Sequence, residues 1–193
     1  MRSLSELTGQ YLVWKVEPGS AGNPDQAQRN YVLFIGDEPV VQAQAIWERM
    51  VSYELVMESS EGTYQVHMDL ADPKRRSVVW KTGETHSAAG FELASKEGII
   101  ATGWINTANR QRLAWAHVNS VYEYVIFAPG GPRLITVSAV ASLHIGGNPG
   151  QMTLAPEMAG DRELVPLVAL GFALANEQLQ LQLPYAPPGQ PGA

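Results

Sequence analysis

The chain contains no cysteine. Disulfide staples, thiol nucleophiles and cysteine-ligated zinc are therefore excluded, and stability has to come from packing. Positive charge is also scarce. Thirteen Lys and Arg stand against nineteen Asp and Glu, a formal net charge of −6. A nucleic-acid binder needs a basic face to displace counterions, so that class is disfavoured. Nonspecific attraction to anionic membranes is disfavoured on the same ground, although a local basic cluster escapes the argument. No apolar run reaches the roughly 20 residues that a membrane-spanning helix requires. Met1 to Gly9 carries no hydrophobic leader, and the chain has no Asn-x-Ser/Thr sequon. A soluble cytoplasmic protein is the expectation.

What remains is a large apolar fraction in short pieces. Hydrophobic residues make up 45% and charged residues 17% of 193, enough for a sizeable core and too apolar for global disorder. Segments rich in β-formers recur at strand-like spacing: 11–16, 31–35, 40–47, 53–57, 63–68, 78–80, 91–94, 99–105, 113–118, 122–127, 134–140 and 151–154. Turn signals separate them, among them Gly36 to Pro39, Ser59 to Gly62, Asp72 to Arg76, Ser95 to Gly98, Thr107 to Asn109, Pro129 to Pro132 and Gly146 to Gly150. Residues 1–10 suit a short helix or an extended arm. Pro18 to Asn30, polar and rich in Gly, Pro and Gln, reads as a loop. Ten or more short strands with no linker-like break predict one sandwich or barrel over residues 1–183. The Pro/Gly-rich stretch 184–193 reads as a loosely held tail.

One segment breaks the pattern. Leu164 to Ala175 is apolar on every side. A helix with no polar stripe needs cover around its whole circumference. At about 18 Å it is too short for a bilayer core of about 30 Å, so the cover has to be protein. Asp161 is placed to cap it, and Pro166 is tolerable only in its first turn, which puts the start near Glu163. Ala169, Gly171, Ala173 and Ala175 are small enough for a wall to approach closely. The alternating Leu179 to Leu183 suits a last strand or a helix end.

Many meandering strands followed by a wholly apolar helix resemble the tubby C-terminal-like superfamily, which includes the LURP-one-related proteins and the scramblases. The resemblance covers roughly residues 10–183. It is carried mainly by Asp161 to Asn176, with Ile100 to Trp104 and Tyr122 to Ile126 ahead of it. It implies a mainly β fold: a closed antiparallel β-barrel of about 10–12 strands around a central hydrophobic C-terminal helix. It also implies a non-enzymatic protein, binding phospholipid headgroups or a protein partner. The cysteine-rich and calcium-associated segments of scramblases are missing, and Lys and Arg are too few for the extended basic face of tubby proteins. The LURP-one-like branch is nearest. An open lipocalin-like barrel, with the helix outside and a small-molecule cavity within, is the competing architecture.

Lys74, Arg75 and Arg76 form the one tight basic cluster. They suit a phosphate or headgroup through charge-assisted hydrogen bonds, and equally a solvated hairpin tip. Arg110 and Arg112 are candidates to extend it. His67, His86, His117 and His144 are far apart and share no ligand spacing, so no metal or other cofactor is expected. Asp69 and Asp72 suit a carboxylate pair or, more simply, a turn before Pro73. Gly146 to Gly150 lacks the Lys-Ser/Thr of a phosphate loop, and no serine sits in Gly-x-Ser-x-Gly. The five tryptophans fall in or beside strands and suit core packing.

Overall fold

Every other residue of β4 (Ser52–Ser59) turns inward. Tyr53, Leu55 and Met57 are buried, while Glu54, Val56 and Glu58 lie on the opposite face. The same period-2 alternation runs through β5 (Gly62–Asp69), where Tyr64, Val66 and Met68 point in. Such strands bury one side only, and a closed sheet satisfies them without leaving an edge. The computed structural model describes residues 2–17, 26–48, 51–97, 100–109, 112–118, 123–139 and 150–180. Among these lie twelve strands. Besides β4 and β5 they are β1 (Tyr11–Glu17), β2 (Gln26–Ile35), β3 (Glu38–Glu48), β6 (Ser77–Lys81), β7 (Ser87–Glu97), β8 (Ile100–Thr107), β9 (Leu113–His117), β10 (Glu123–Phe127), β11 (Arg133–Ala139) and β12 (Gly150–Leu154). Each pairs antiparallel with its sequence neighbours. β1 closes the barrel on β12 through Tyr11↔Thr153 and Leu12↔Met152.

The helix α1 (Leu164–Gln180) lies inside this barrel. Leu164 to Glu177 are all buried. The ring of Phe172 meets Trp14 of β1 and Tyr31 of β2, each at 5.3 Å between centroids and edge-on. A Cβ on Gly171 would come within 3.1 Å of Ile126 on β10, so the small residue lets that part of the wall close in. The helix also meets β4, β5, β6 and β7 across the barrel, as the central-helix expectation requires. An open barrel with the helix outside is not the arrangement found. Glycines also shape the inner wall. A Cβ on Gly103 would fall 2.1 Å from the Phe91 ring, and one on Gly150 would fall 2.4 Å from Trp14 Nε1. Each glycine makes room for an inward aromatic on the neighbouring strand.

Two expectations need adjustment, at 18–30 and 95–98. The predicted loop over 18–30 is strand from Gln26 onward, while residues 18–25 lie outside the described part. Asn30 pairs with Gln44 across β2 and β3 and accepts a 3.3 Å hydrogen bond from its amide. Polar side chains on the outer face of a paired strand had the composition of a loop. The predicted turn at 95–98 is strand as far as Glu97, with a register shift between Leu93 and Ser95. Residues 146–149 and 181–193, including the predicted tail, lie outside the described residues, and Gly150 already belongs to β12. Of the two readings of residues 1–10 the short helix is the one found: residues 4–7 form a 3-10 turn whose Leu4 and Leu7 are fully buried. It is held by Glu61, which accepts from the Leu4 amide at 2.8 Å.

Candidate functional site

The basic cluster sits in the turn joining β5 to β6, and the turn is built by its own carboxylates. Asp69 Oδ1 accepts from the amides of Ala71 at 2.9 Å and Asp72 at 3.1 Å. Asp72 Oδ1 accepts from the Lys74 amide at 3.0 Å, and its carbonyl accepts from the Arg75 amide at 2.8 Å. Asp69 and Asp72 therefore act as turn builders, the local side-chain-to-backbone bonding these residues favour. The turn carries Arg75 through φ +47°, the one non-glycine residue at positive φ among those described. Its three basic side chains consequently diverge.

Lys74 and Arg76 face solvent. Lys74 Nζ lies 2.5 Å from Glu92 Oε1 on β7, and its carbonyl accepts from the Leu93 amide at 2.7 Å. Arg76 Nε lies 3.0 Å from Asp72 Oδ2. Glu92 pairs across the sheet with Trp104 of β8, and the Arg112 guanidinium stacks 4.6 Å above the Trp104 ring. Lys74, Arg76 and Arg112 thus share one strip of the outer wall, arranged about Glu92. The hydrogen bond and charge of Lys74, reinforced by Arg76 and Arg112, hold the Glu92 carboxyl below its ordinary range. Arg110 lies outside the described residues.

Arg75 turns the other way. Its guanidinium Nη1 approaches Glu177 Oε1 of α1 to 3.9 Å, an ion pair too long to be a hydrogen bond. The Glu177 side chain is 1% exposed and that of Arg75 20%. Beside Glu177, Asn176 ties the helix to two strands. It accepts from the Tyr31 hydroxyl at 3.0 Å, and its amide donates to the Tyr53 hydroxyl at 3.1 Å. Burial first, and the neighbouring Tyr31, push the Tyr53 phenol well above its ordinary value, so it stays a neutral partner. Asn176 and Glu177 follow directly on the apolar run Leu164 to Ala175. Nothing in their own neighbourhood of sequence marks them as inward-facing.

The other chemistry-bearing residues are dispersed. His67 on the outer face of β5 pairs with Glu54. His86 is exposed in a turn. His117 ends β9 against the Tyr124 ring, and its Nε2 is buried without a hydrogen bond. His144 lies outside the described residues. Among the described residues no three His, Asp or Glu are grouped to hold a metal ion, and no helix is long and apolar enough to cross a membrane. Trp14 and Trp115 are core residues, and Trp47 packs on the core's margin against Tyr53. Trp80 and Trp104 sit half-buried on the outer wall instead. No family model matches the chain, and neither a curated protein nor a solved structure does.

Proposed function

We propose that the protein is a non-enzymatic, tubby/LURP-one-like binding protein that takes anionic phosphate-bearing headgroups on its outer wall, at a cytoplasmic membrane surface. The closed twelve-stranded barrel with its apolar helix inside supports the kinship. Because the helix fills the barrel's interior, binding falls to the outside. The single observation carrying the ligand reading is the convergence of Lys74, Arg76 and Arg112 on one strip beside Trp104. Sequence distance separates Arg112 from the other two, and the pairing of β7 with β8 and of β8 with β9, which Arg112 directly precedes, brings it alongside.

The existing partners of these cations do not block the site. Lys74 and Arg76 are largely exposed, at 58% and 65%, and exposed ion pairs contribute only about 0–1 kcal/mol. A phosphate offers stronger charge-assisted hydrogen bonds than the carboxylates it displaces. The indole of Trp104 suits the polar–apolar boundary of a lipid surface.

Co-sedimentation with phosphatidylcholine vesicles, with and without a phosphoinositide, tests this reading. Binding should require the anionic lipid and weaken as salt rises. At about 1 kcal/mol per basic residue, replacing Lys74, Arg76 and Arg112 together by Ala should weaken binding on the order of a hundredfold. Absent or salt-independent binding by the native chain overturns the lipid reading and turns the search to a protein partner.

A further inference from the structure

The outer strip has three cations, Lys74, Arg76 and Arg112, and three carboxylates, Asp69, Asp72 and Glu92, so it is close to electrically balanced. A fourth cation lies directly behind it. Arg75 sits between Lys74 and Arg76 in the same turn, yet its side chain runs inward to Glu177 on the last turns of α1. We propose that Arg75 is shared between the outer anion site and the inner helix. An anion bound at the strip draws Arg75 outward, and Glu177, losing that partner, loosens the C-terminal turns of the helix. This inference rests on the reading of the strip as an anion site and adds its regulation.

The geometry suits an exchange. The 3.9 Å separation is an electrostatic contact without the short, aligned hydrogen bond that would lock it. The Arg75 side chain is one-fifth exposed, so its guanidinium has a path to solvent, whereas Glu177 has none. Neighbouring turn residues already face outward, so a rotamer change carries the charge between the two environments without refolding the turn. Glu177 also follows Asn176, the residue that fastens the helix to Tyr31 and Tyr53. Disturbance at Glu177 therefore reaches a buried polar anchor of that helix end. Coupling of this kind is reciprocal: whatever frees Arg75 from Glu177 must strengthen anion binding by the same factor.

Hydrogen–deuterium exchange over residues 172–177, with the full chain on phosphatidylcholine vesicles with and without a phosphoinositide, tests the proposal. Exchange there should quicken on the anionic vesicles alone, while the amides of β4 and β5 keep their protection. Glu177→Gln should bind the same vesicles about five- to tenfold more tightly, at the lower end of typical coupling. Arg75→Gln should still bind through the remaining cations, and its helix exchange should no longer respond to the vesicles. Vesicle binding with unchanged helix exchange and unchanged Glu177→Gln affinity overturns the sharing of Arg75 and leaves the anion site standing. Failure of the native chain to bind any anionic vesicle overturns both. The exchange comparison on the native chain needs no variant, so a misfolded substitution cannot obscure the result.

Discussion

The two ends of the buried helix are held in different ways. At the N-terminal end the cap itself is local, and the bonds go to backbone amides. Asp161 Oδ1 accepts from the Glu163 amide at 2.8 Å, and the Asp161 carbonyl accepts from the Leu164 amide at 3.2 Å. Glu163 Oε1 also accepts from the Asn109 amide at 2.9 Å, stitching the cap to the turn after β8. At the C-terminal end the bonds are between side chains far apart in sequence. Asn176 is separated from Tyr31 by 145 residues and from Tyr53 by 123. Glu177 faces Arg75 from the β5–β6 turn. One end is thus set mainly by local capping, the other by tertiary structure alone. The Asp161 bonds form wherever the helix forms; the Asn176 bonds require the barrel to be closed in register.

This contrast can be broken in stages. The largest effect should come from removing residues 161–193. A barrel built around Phe172, Leu170 and Leu167 then has an empty apolar interior, and no cooperative thermal transition should survive in circular dichroism. A soluble, cooperatively folding remainder would mean that the helix is dispensable. Next is Asn176→Leu, which takes a buried hydrogen-bond partner from both Tyr31 and Tyr53. A denaturant midpoint shift equivalent to about 1–3 kcal/mol is expected. At the opposite end Asp161→Ala should cost less, about 1 kcal/mol, the ordinary loss of an N-cap. Equal costs at the two ends would remove the distinction. The smallest effect belongs to the outer strip, where Lys74→Ala should change stability by at most about 1 kcal/mol, since the Lys74–Glu92 pair is exposed to solvent.

The same contrast explains what could be read in the sequence. A helix apolar on all sides announces that it is enclosed, and Asp161 announces its start, because both signals are local. The strands were legible where inward and outward residues alternate, as in β4 and β5. They were missed at 26–30, where Gln28 and Asn30 have the look of loop composition. The basic cluster was visible as Lys74, Arg75 and Arg76, but the direction of each side chain was not. Arg75 turns inward because of a positive φ and a carboxylate 102 residues away. Arg112 joins the strip through the register of β7, β8 and β9. Helix length also depended on tertiary cover. Asn176 and Glu177, beyond the apolar run, continue the helix where Tyr31, Tyr53 and Arg75 meet them.

α1 is the core of the barrel rather than an element laid upon it. Native-state hydrogen exchange over Leu167 to Asn176, in the absence of ligand, tests that most directly. Those amides should exchange only through global unfolding, with the same denaturant dependence as the slowest amides of β4 and β5. Helix exchange through a separate, lower-energy opening, with the strands still protected, would contradict it.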